Sequence, residues 1–258
     1  MKKLNIILFL LITALLQSCT KDNSVNNSGN GNNIIANQKA LGTSSTDLLS
    51  DNTYTAMTIE IVYVDGFAPT QTAIDNFVSF IESRTYKPTG ITVESRSIAS
   101  LGNGQYSIQD IKVIEDANRT KYNSNNTIAV WGFFSDGESS SNTNDSVILG
   151  TAYRNTSFVI FEETIHDLSN STFEPSRNVL ETTVINHEFG HILGLTDLGA
   201  ALQSDHEDPE HLNHCNVQDC LMYWSAETGE GLSNLMSGGT VPQLDPQCIM
   251  DLQANGGR

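Results

Sequence analysis

The chain has 258 residues, of which 30 are Asp or Glu and 13 are Lys or Arg, so its formal net charge at pH 7 is −17. An acidic surface repels phosphate backbones, so this charge disfavours nucleic acid as a partner. The length fits a leader followed by one domain, because single domains commonly contain about 100–200 residues and sometimes about 250. The sequence has no internal repeats, and we expect a monomer.

Residues 1–19 combine a basic start with an apolar stretch. Two lysines precede an almost wholly apolar run over residues 5–16, and the run is followed by Leu16-Gln17-Ser18-Cys19. The run is shorter than the roughly twenty residues that a membrane span needs, and it is typical of a signal peptide. The Leu-x-Ser-Cys ending resembles a bacterial lipobox. That resemblance implies that Cys19 is lipidated and anchors an exported protein at the periplasmic or cell-surface face of a membrane, with export without lipid as the alternative.

Residues 20–54 are rich in Asn, Ser and Gly and contain too few apolar residues to build a core. They are therefore predicted to form a flexible tether. A short inhibitory propeptide is the rival interpretation. A thiol that caps a metal from this segment is excluded in the mature form, because no cysteine lies between Cys19 and Cys215.

Residues 55–258 are predicted to form one domain that begins with alternating strands and helices. Alternating β-branched residues predict three strands, at Thr55–Asp65, Ile91–Ile98 and Thr127–Phe134. Apolar residues at helical spacing predict two helices between them, at Pro69–Tyr86 and Ile108–Thr120. One or two further strands are predicted within Gly150–Glu163. This order predicts an α/β (α+β) fold with a mixed, twisted sheet.

The most informative stretch is His187-Glu188-Phe189-Gly190-His191, which is followed by Gly194. Histidines four residues apart lie on one face of a helix, so the two imidazoles can bind one cation. The neighbouring Glu188 is close enough to reach a metal-bound water. Apolar residues from Val179 onward predict that the helix is buried, and Gly194 can turn the chain at its C-terminus.

Together with Asp197, this stretch reads H-E-x-x-H-x-x-G-x-x-D and resembles the motif of the metzincin zinc metalloproteases in their snapalysin-like branch. The resemblance covers about residues 55–252 and is specific only at about 187–222. It implies a zinc endopeptidase in which Glu188 is the general base. It also implies a small C-terminal subdomain, which fits the polar, loop-rich sequence after Gly194 and a final helix predicted from Asp245-Pro246 to about Ala254. The alternative function is a surface lipoprotein that keeps this fold and its metal as a binding or adhesion module.

The third zinc ligand has several candidates. The segment from His214 to Met222 resembles the archaemetzincins, in which the third histidine directly precedes a Cys-x4-Cys-x-Met run. In this chain a loop containing His206 and His211 separates Gly194 from His214. We favour His214 over Asp197, which has the snapalysin-like spacing, and keep His206 and His211 as further alternatives because imidazole is the usual third ligand.

The same segment suggests further site residues. Met222 resembles the methionine of the metzincin Met-turn, with Met236 as a second candidate and an ordinary core methionine as the alternative. Tyr223 is a candidate for stabilising an oxyanion, although packing is the simpler role. In the metzincins a strand at the sheet edge pairs with the peptide substrate, and Leu149–Tyr153 is our candidate for that edge.

Three cysteines remain after Cys19, namely Cys215, Cys220 and Cys248. The archaemetzincin resemblance implies a second, structural zinc bound by cysteines in this region. Because the downstream Cys-x-x-Cys of that family is absent and the protein is expected to be exported, we predict one disulfide and one spare thiol instead. Calcium binding by the acidic loop 204–208 is possible in principle, but no ligand pattern is complete.

Overall fold

The structure is a computed structural model that describes residues 28–144, 146–171, 174–228 and 239–258. The leader with Cys19 and the second Met-turn candidate, Met236, lie outside these residues. Among the described helices, none is both long and apolar enough to span a membrane.

A five-stranded mixed sheet lies at the centre of the molecule. The strands are β1 (Ala56–Val64), β2 (Gly90–Ile98), β3 (Gln105–Tyr106), β4 (Thr127–Phe134), β5 (Glu138–Ser139), β6 (Gly150–Arg154) and β7 (Ser157–Ile160). The central sheet has the order β2-β1-β4-β7-β6, and β3 and β5 form a separate pair. All pairs in the central sheet are parallel except that of β6 with β7, which is antiparallel. Strand β6 therefore lies at one edge.

Seven α-helices surround the sheet in the described part of the chain. They are α1 (Ser28–Asn37), α2 (Ser45–Leu49), α3 (Gln71–Arg84), α4 (Ile108–Asn118), α5 (Glu162–Asp167), α6 (Arg177–Ile192) and α7 (Pro246–Ala254), and a 3₁₀-helix covers Trp224–Glu227. Hydrogen bonds from backbone N–H groups to side chains cap the N-termini of several helices. The Thr70 side chain accepts from the N–H of Ala73, Ser107 and Asp110 form a capping box, and Asp245 accepts from the N–H of Cys248.

The predicted fold class is confirmed, because the protein is a mixed α/β structure with a mixed sheet. Alternate residues of β1 face opposite sides, so Ile59 and Ile61 enter one apolar core whereas Val62 and Val64 enter another. Helix α6 packs in the first of these cores, where the ring of Phe189 meets Phe77 of α3 edge-on at 5.1 Å. This packing fixes the position of α6 relative to α3.

The segment at 33–54 is packed against the domain and is not the flexible tether predicted from its composition. Leu48 and Leu49 are fully buried in the same core as α6. The buried Asn37 amide donates to the side chains of Asn123 and Thr156. Burial of two leucines together with a satisfied polar network outweighs the low apolar content of the surrounding sequence.

Candidate metal centre

Helix α6 carries the histidine motif into the interior. His187 and Glu188 are fully buried, and His191 is 5% exposed. The helix can approach the edge strand only because residue 150 is a glycine. A Cβ there would lie 2.7 Å from Cγ1 of Val184 and 2.8 Å from Cγ of Glu188.

Three imidazoles gather at this point, those of His187, His191 and His214. The Nε2 atoms of His187 and His191 are 3.1 Å apart, and the His214 ring stacks on His187 with centroids 5.3 Å apart. The carbonyls of Leu221 and Leu212 accept from Nδ1 of His187 and His214, respectively. A carbonyl can only accept, so both rings carry their proton on Nδ1 and present a lone pair on Nε2. Converging lone pairs repel unless a cation lies between them, so this donor set fits a metal.

Of the alternatives for the third ligand, the structure brings only His214 to this cluster. Asp197 is exposed, in a left-handed conformation with φ 67°. His206 lies in a second cluster, described below. The ring of His211 stacks on Trp224 with centroids 4.3 Å apart. The chain can bring His214 back to the motif because Gly194, with φ 90°, turns it sharply after the helix.

Glu188 faces the edge strand. One of its carboxylate oxygens accepts from the N–H of Ala152 in β6 at 2.6 Å. The other oxygen is buried and makes no hydrogen bond, as is also true of Nε2 of His214. Unsatisfied buried polar atoms are costly, so those beside the histidines indicate a place for a polar ligand.

Met222 lies against the helix between its two histidines. A Cβ on Gly190 would overlap the Met222 sulfur, so only glycine leaves room for this side chain. Met222 is fully buried. Tyr223 follows it with its ring tilted against Trp224 at 5.8 Å, which is a packing contact.

Glu227, at the end of the 3₁₀-helix, is a member of the cluster that the sequence analysis did not identify. Its carboxylate oxygens lie 3.3 Å from Nε2 of His214, 3.7 Å from that of His187 and 4.0 Å from that of His191. The four candidate ligand atoms all lie within 4.8 Å of one another. No spacing rule links Glu227 to the motif, so only tertiary structure reveals it.

Burial controls the charges of these groups. Burial and the nearby charge of Glu227 raise the pKa of Glu188 well above its ordinary value, and the N–H of Ala152 offsets part of that rise. Burial and the neighbouring His187 lower the pKa of His191 well below its usual range, so its imidazole is neutral, as a metal ligand must be. Burial opposes ionisation of Glu227, but its interactions with His187, His214 and His191 outweigh burial and lower the pKa of this carboxyl.

A second cluster of donors lies in the C-terminal part of the chain. Sγ of Cys220 and Sγ of Cys248 are 3.7 Å apart, and Nδ1 of His206 lies 3.5 Å from Sγ of Cys215 and 4.0 Å from that of Cys248. Tetrahedral zinc with bonds of about 2.3 Å to sulfur and about 2.0–2.1 Å to nitrogen separates such ligands by about 3.5–3.8 Å. Nε2 of His206 donates to Asp251 at 2.7 Å, which orients Nδ1 toward the sulfurs.

The predicted disulfide is wrong, because Cys215, Cys220 and Cys248 are all free thiols in the structure. The sulfurs of Cys220 and Cys248 are 3.7 Å apart, far beyond the disulfide bond length of about 2.05 Å. Hydrogen bonds from the other two cysteines lower the pKa of the Cys215 thiol to about 4. The number and spacing of the cysteines did not reveal His206 as a further donor of this cluster, because it is a histidine in the inserted loop.

No model of a known protein family matches the sequence, and no curated protein matches it. Several solved structures do resemble the structure of this chain. The archaemetzincin of Methanopyrus kandleri is 17% identical, with a TM-score of 0.50 over 78% of this chain and 96% of its own. A zinc-dependent peptidase from Methanocorpusculum labreanum is 12% identical, with a TM-score of 0.47 over 75% of this chain and 99% of its own. Metalloproteinase-II from Bacteroides fragilis is 12% identical, with a TM-score of 0.41 over 81% of this chain and 56% of its own.

At these identities the likeness concerns the fold, and it rests on the archaemetzincin, because the other two TM-scores are below 0.5. The chain of that archaemetzincin is matched over nearly its whole length. The protein described here therefore has a mixed α/β fold similar to that of an archaemetzincin.

Proposed function

We propose that the protein is a zinc-dependent endopeptidase. The observation that carries this proposal is the convergence of three imidazoles, from His187, His191 and His214, beside the buried carboxylate of Glu188. Three protein ligands that leave one position open are typical of catalytic zinc sites. Similarity in fold to an archaemetzincin is consistent with this activity.

Zinc bound to the three imidazoles would lower the pKa of a water to about 7 and polarise the scissile carbonyl. Glu188 would remove the proton from that water and then deliver it to the leaving amine. Burial and the charge of Glu227 raise the pKa of Glu188, and a carboxylate with a raised pKa is a stronger base toward a water. The N–H of Ala152 holds the carboxylate in place through its other oxygen.

The peptide would bind along the free edge of β6, within the predicted Leu149–Tyr153 segment. This strand is the last in the sheet and packs beside α6. An extended peptide can add to such an edge through backbone hydrogen bonds, which places its carbonyls next to the metal ligands.

We further propose that a second, structural zinc binds at His206, Cys215 and Cys248, with Cys220 or Asp245 as the fourth donor. Four protein donors leave no open position, which distinguishes this site from the first. The Cys220 sulfur accepts hydrogen bonds from the N–H groups of Met222 and Asp245 at 3.4 Å each, an arrangement that stabilises a thiolate. This metal would join the segment that carries Met222 to α7.

The proposal also includes export and lipid attachment at Cys19, which rest on the leader sequence alone. Cells that express the chain should incorporate labelled fatty acid into the wild type but not into Cys19→Ser. Equal labelling of both proteins would contradict the lipobox assignment.

The catalytic proposal is tested with the zinc-loaded wild type and Glu188→Gln. Wild type should cleave peptides in a chelator-sensitive manner, and Glu188→Gln should lose at least about 10²-fold in kcat while retaining its zinc, because only the base is removed. Metal content is measured by elemental analysis. Chelator-insensitive cleavage would contradict zinc catalysis. Stoichiometric zinc with no cleavage across varied peptide libraries would favour the alternative, a binding or adhesion module.

A further inference from the structure

Glu227 lies where a fourth zinc ligand would be placed. Its oxygens are 3.3–4.0 Å from the three Nε2 atoms. Bonds of about 2.0–2.2 Å to nitrogen and oxygen would separate neighbouring ligands of a tetrahedral zinc by about 3.3–3.5 Å. The Glu227 side chain is 27% exposed, so one side remains open to solvent. A carboxylate in this place would fill the position that a catalytic site leaves open.

The backbone of the same segment covers the start of the candidate substrate edge. The carbonyl of Glu227 accepts from the N–H of Leu149 at 2.9 Å. The next residue, Thr228, forms an antiparallel bridge with Ile148. The carbonyl of Leu149 accepts from Phe161, so both backbone groups of Leu149 are already hydrogen-bonded within the chain.

We infer that Trp224–Thr228 is a self-inhibiting segment, in which Glu227 closes the metal centre and its backbone takes the place of a bound peptide. The inference rests on the proposed function, because it assigns a regulation to the same site. The segment uses both contacts that a substrate would use, one to the metal ligands and one to the sheet edge. A peptide must therefore displace it before the reaction.

Among the described residues, few backbone contacts join the end of this segment to the sheet edge. The 3₁₀-helix has four residues, and hydrogen-bond geometry in such helices is poorer than in α-helices. In the part of the chain that the structure describes, one hydrogen bond and one bridge attach its end to residues 148–149. Contacts of this number suit local opening without unfolding of the domain.

The test measures how tightly the zinc-loaded full chain binds acetohydroxamic acid, a small zinc ligand that needs an open position. Glu227→Gln keeps the size of the side chain but removes its charge. This variant should bind the probe at least about tenfold more tightly than wild type, because the open form no longer competes with a carboxylate. Glu210→Gln, which changes an exposed carboxylate of the inserted loop, is the matched control and should bind as wild type does. Equal affinity in wild type and Glu227→Gln would overturn the inference.

Peptide hydrolysis by the same proteins separates this inference from the proposed function. Glu227→Gln should have a lower KM than wild type, and Glu227→Gln combined with Glu188→Gln should be inactive. Tighter probe binding without hydrolysis in any variant would retain the closure by Glu227 and reject the peptidase. Reduced hydrolysis with unchanged probe affinity would identify Glu227 as catalytic and reject the closure. Both measurements are repeated with Glu227→Ala, because the side-chain amide that Glu227→Gln introduces could itself bind zinc.

Discussion

Gly190 and Met222 show how little space lies beneath the two histidines of α6. A Cβ on Gly190 would overlap the Met222 sulfur, and both residues are buried. Protein interiors are close-packed, so one added carbon must displace its neighbours. The glycine in the motif is thus required by its contact with Met222 rather than by its backbone conformation.

We expect Gly190→Ala to lower the free energy of unfolding by about 1–3 kcal/mol, the usual cost of an overpacked core. Met222→Ala should relieve the overlap, so the double variant should be less destabilised than the sum of the single changes. Urea unfolding of the four proteins gives the coupling. Gly104→Ala is the control, because a Cβ there meets nothing within 4 Å. Strict additivity would contradict the contact.

A buried carboxyl pair, Glu162 of α5 and Glu181 of α6, lies away from the candidate metal centre. Glu162 is fully buried, with Nη2 of Arg177 and Nε2 of His166 each 3.2 Å from its Oε1. Arg177 also pairs with Glu181 at 2.7 Å. Burial and the charge of Glu181 raise the pKa of Glu162 well above its ordinary value, and Arg177 offsets only part of this rise.

Glu162 should therefore make stability depend on pH. The folded protein holds this proton to a higher pH than the unfolded chain, in which the pKa is about 4.3. The contribution is fully present below about pH 4.3 and is lost as the pH rises through the raised pKa, at about 1.4 kcal/mol per unit of rise. Glu162→Gln should thus be more stable than wild type at pH 8 but not at pH 4, as measured by urea unfolding. Asp167→Asn, on the exposed end of the same helix, should not show this difference.

The residues of the two clusters fall into two groups: those that a local sequence pattern predicts and those that only the tertiary structure reveals. His187, Glu188 and His191 follow from a spacing that one helix imposes. His206 and Glu227 do not, because each reaches its cluster through loops whose path has no periodicity. A polar loop that contains several histidines indicates that a donor is present without indicating which cluster it joins.

At the scale of elements, periodicity predicted most of the sheet. The predicted strand Thr55–Asp65 differs by one residue at each end from β1 (Ala56–Val64), and the predicted helix Ile108–Thr120 extends two residues beyond α4 (Ile108–Asn118). The final helix begins after the predicted Asp245 cap. Helix α2 was missed because five residues are too few to establish a period.

The proposed second zinc joins two elements, the loop segment of Cys215 and Cys220 and the helix α7 that carries Cys248. Removal of that metal should lower Tm by at least about 5–10 °C, as expected for loss of a ligand present at about 100 times its Kd. Thermal unfolding before and after dialysis against a chelator measures the effect. Wild type should contain two zinc ions per chain and Cys248→Ala one. A His187→Ala variant that lost the whole chelator effect would contradict a structural role for the second site.

At the scale of the whole molecule, the N-terminal segment is part of the folded body. Helix α2 packs at the C-terminus of α6, where the hydroxyl of Ser45 donates to the carbonyl of Leu193. A Cβ on Gly194 would lie 2.6 Å from the same hydroxyl. Residues that composition assigned to a tether thus support the turn after the histidine motif.

We therefore expect Leu49→Ala to destabilise the protein by about 2–5 kcal/mol, the usual cost of truncating a fully buried leucine. Ile35→Ala in α1 is the control, because Ile35 is 65% exposed and should contribute little. Urea unfolding of both variants gives the comparison. Equal, small effects would mean that the segment is not needed for folding.

The bridge between Ile148 and Thr228 affects how readily two copies of the protein can pair through this sheet edge. A strand at the border of a sheet is a template on which a second chain can pair, and natural proteins block such borders to prevent aggregation. Because Ile148 and Leu149, directly before β6, are already paired to their own chain, this edge offers a foreign strand a shorter run of unpaired backbone. If extended peptides bind at this sheet edge, its partial pairing within the chain would also limit self-association of the protein.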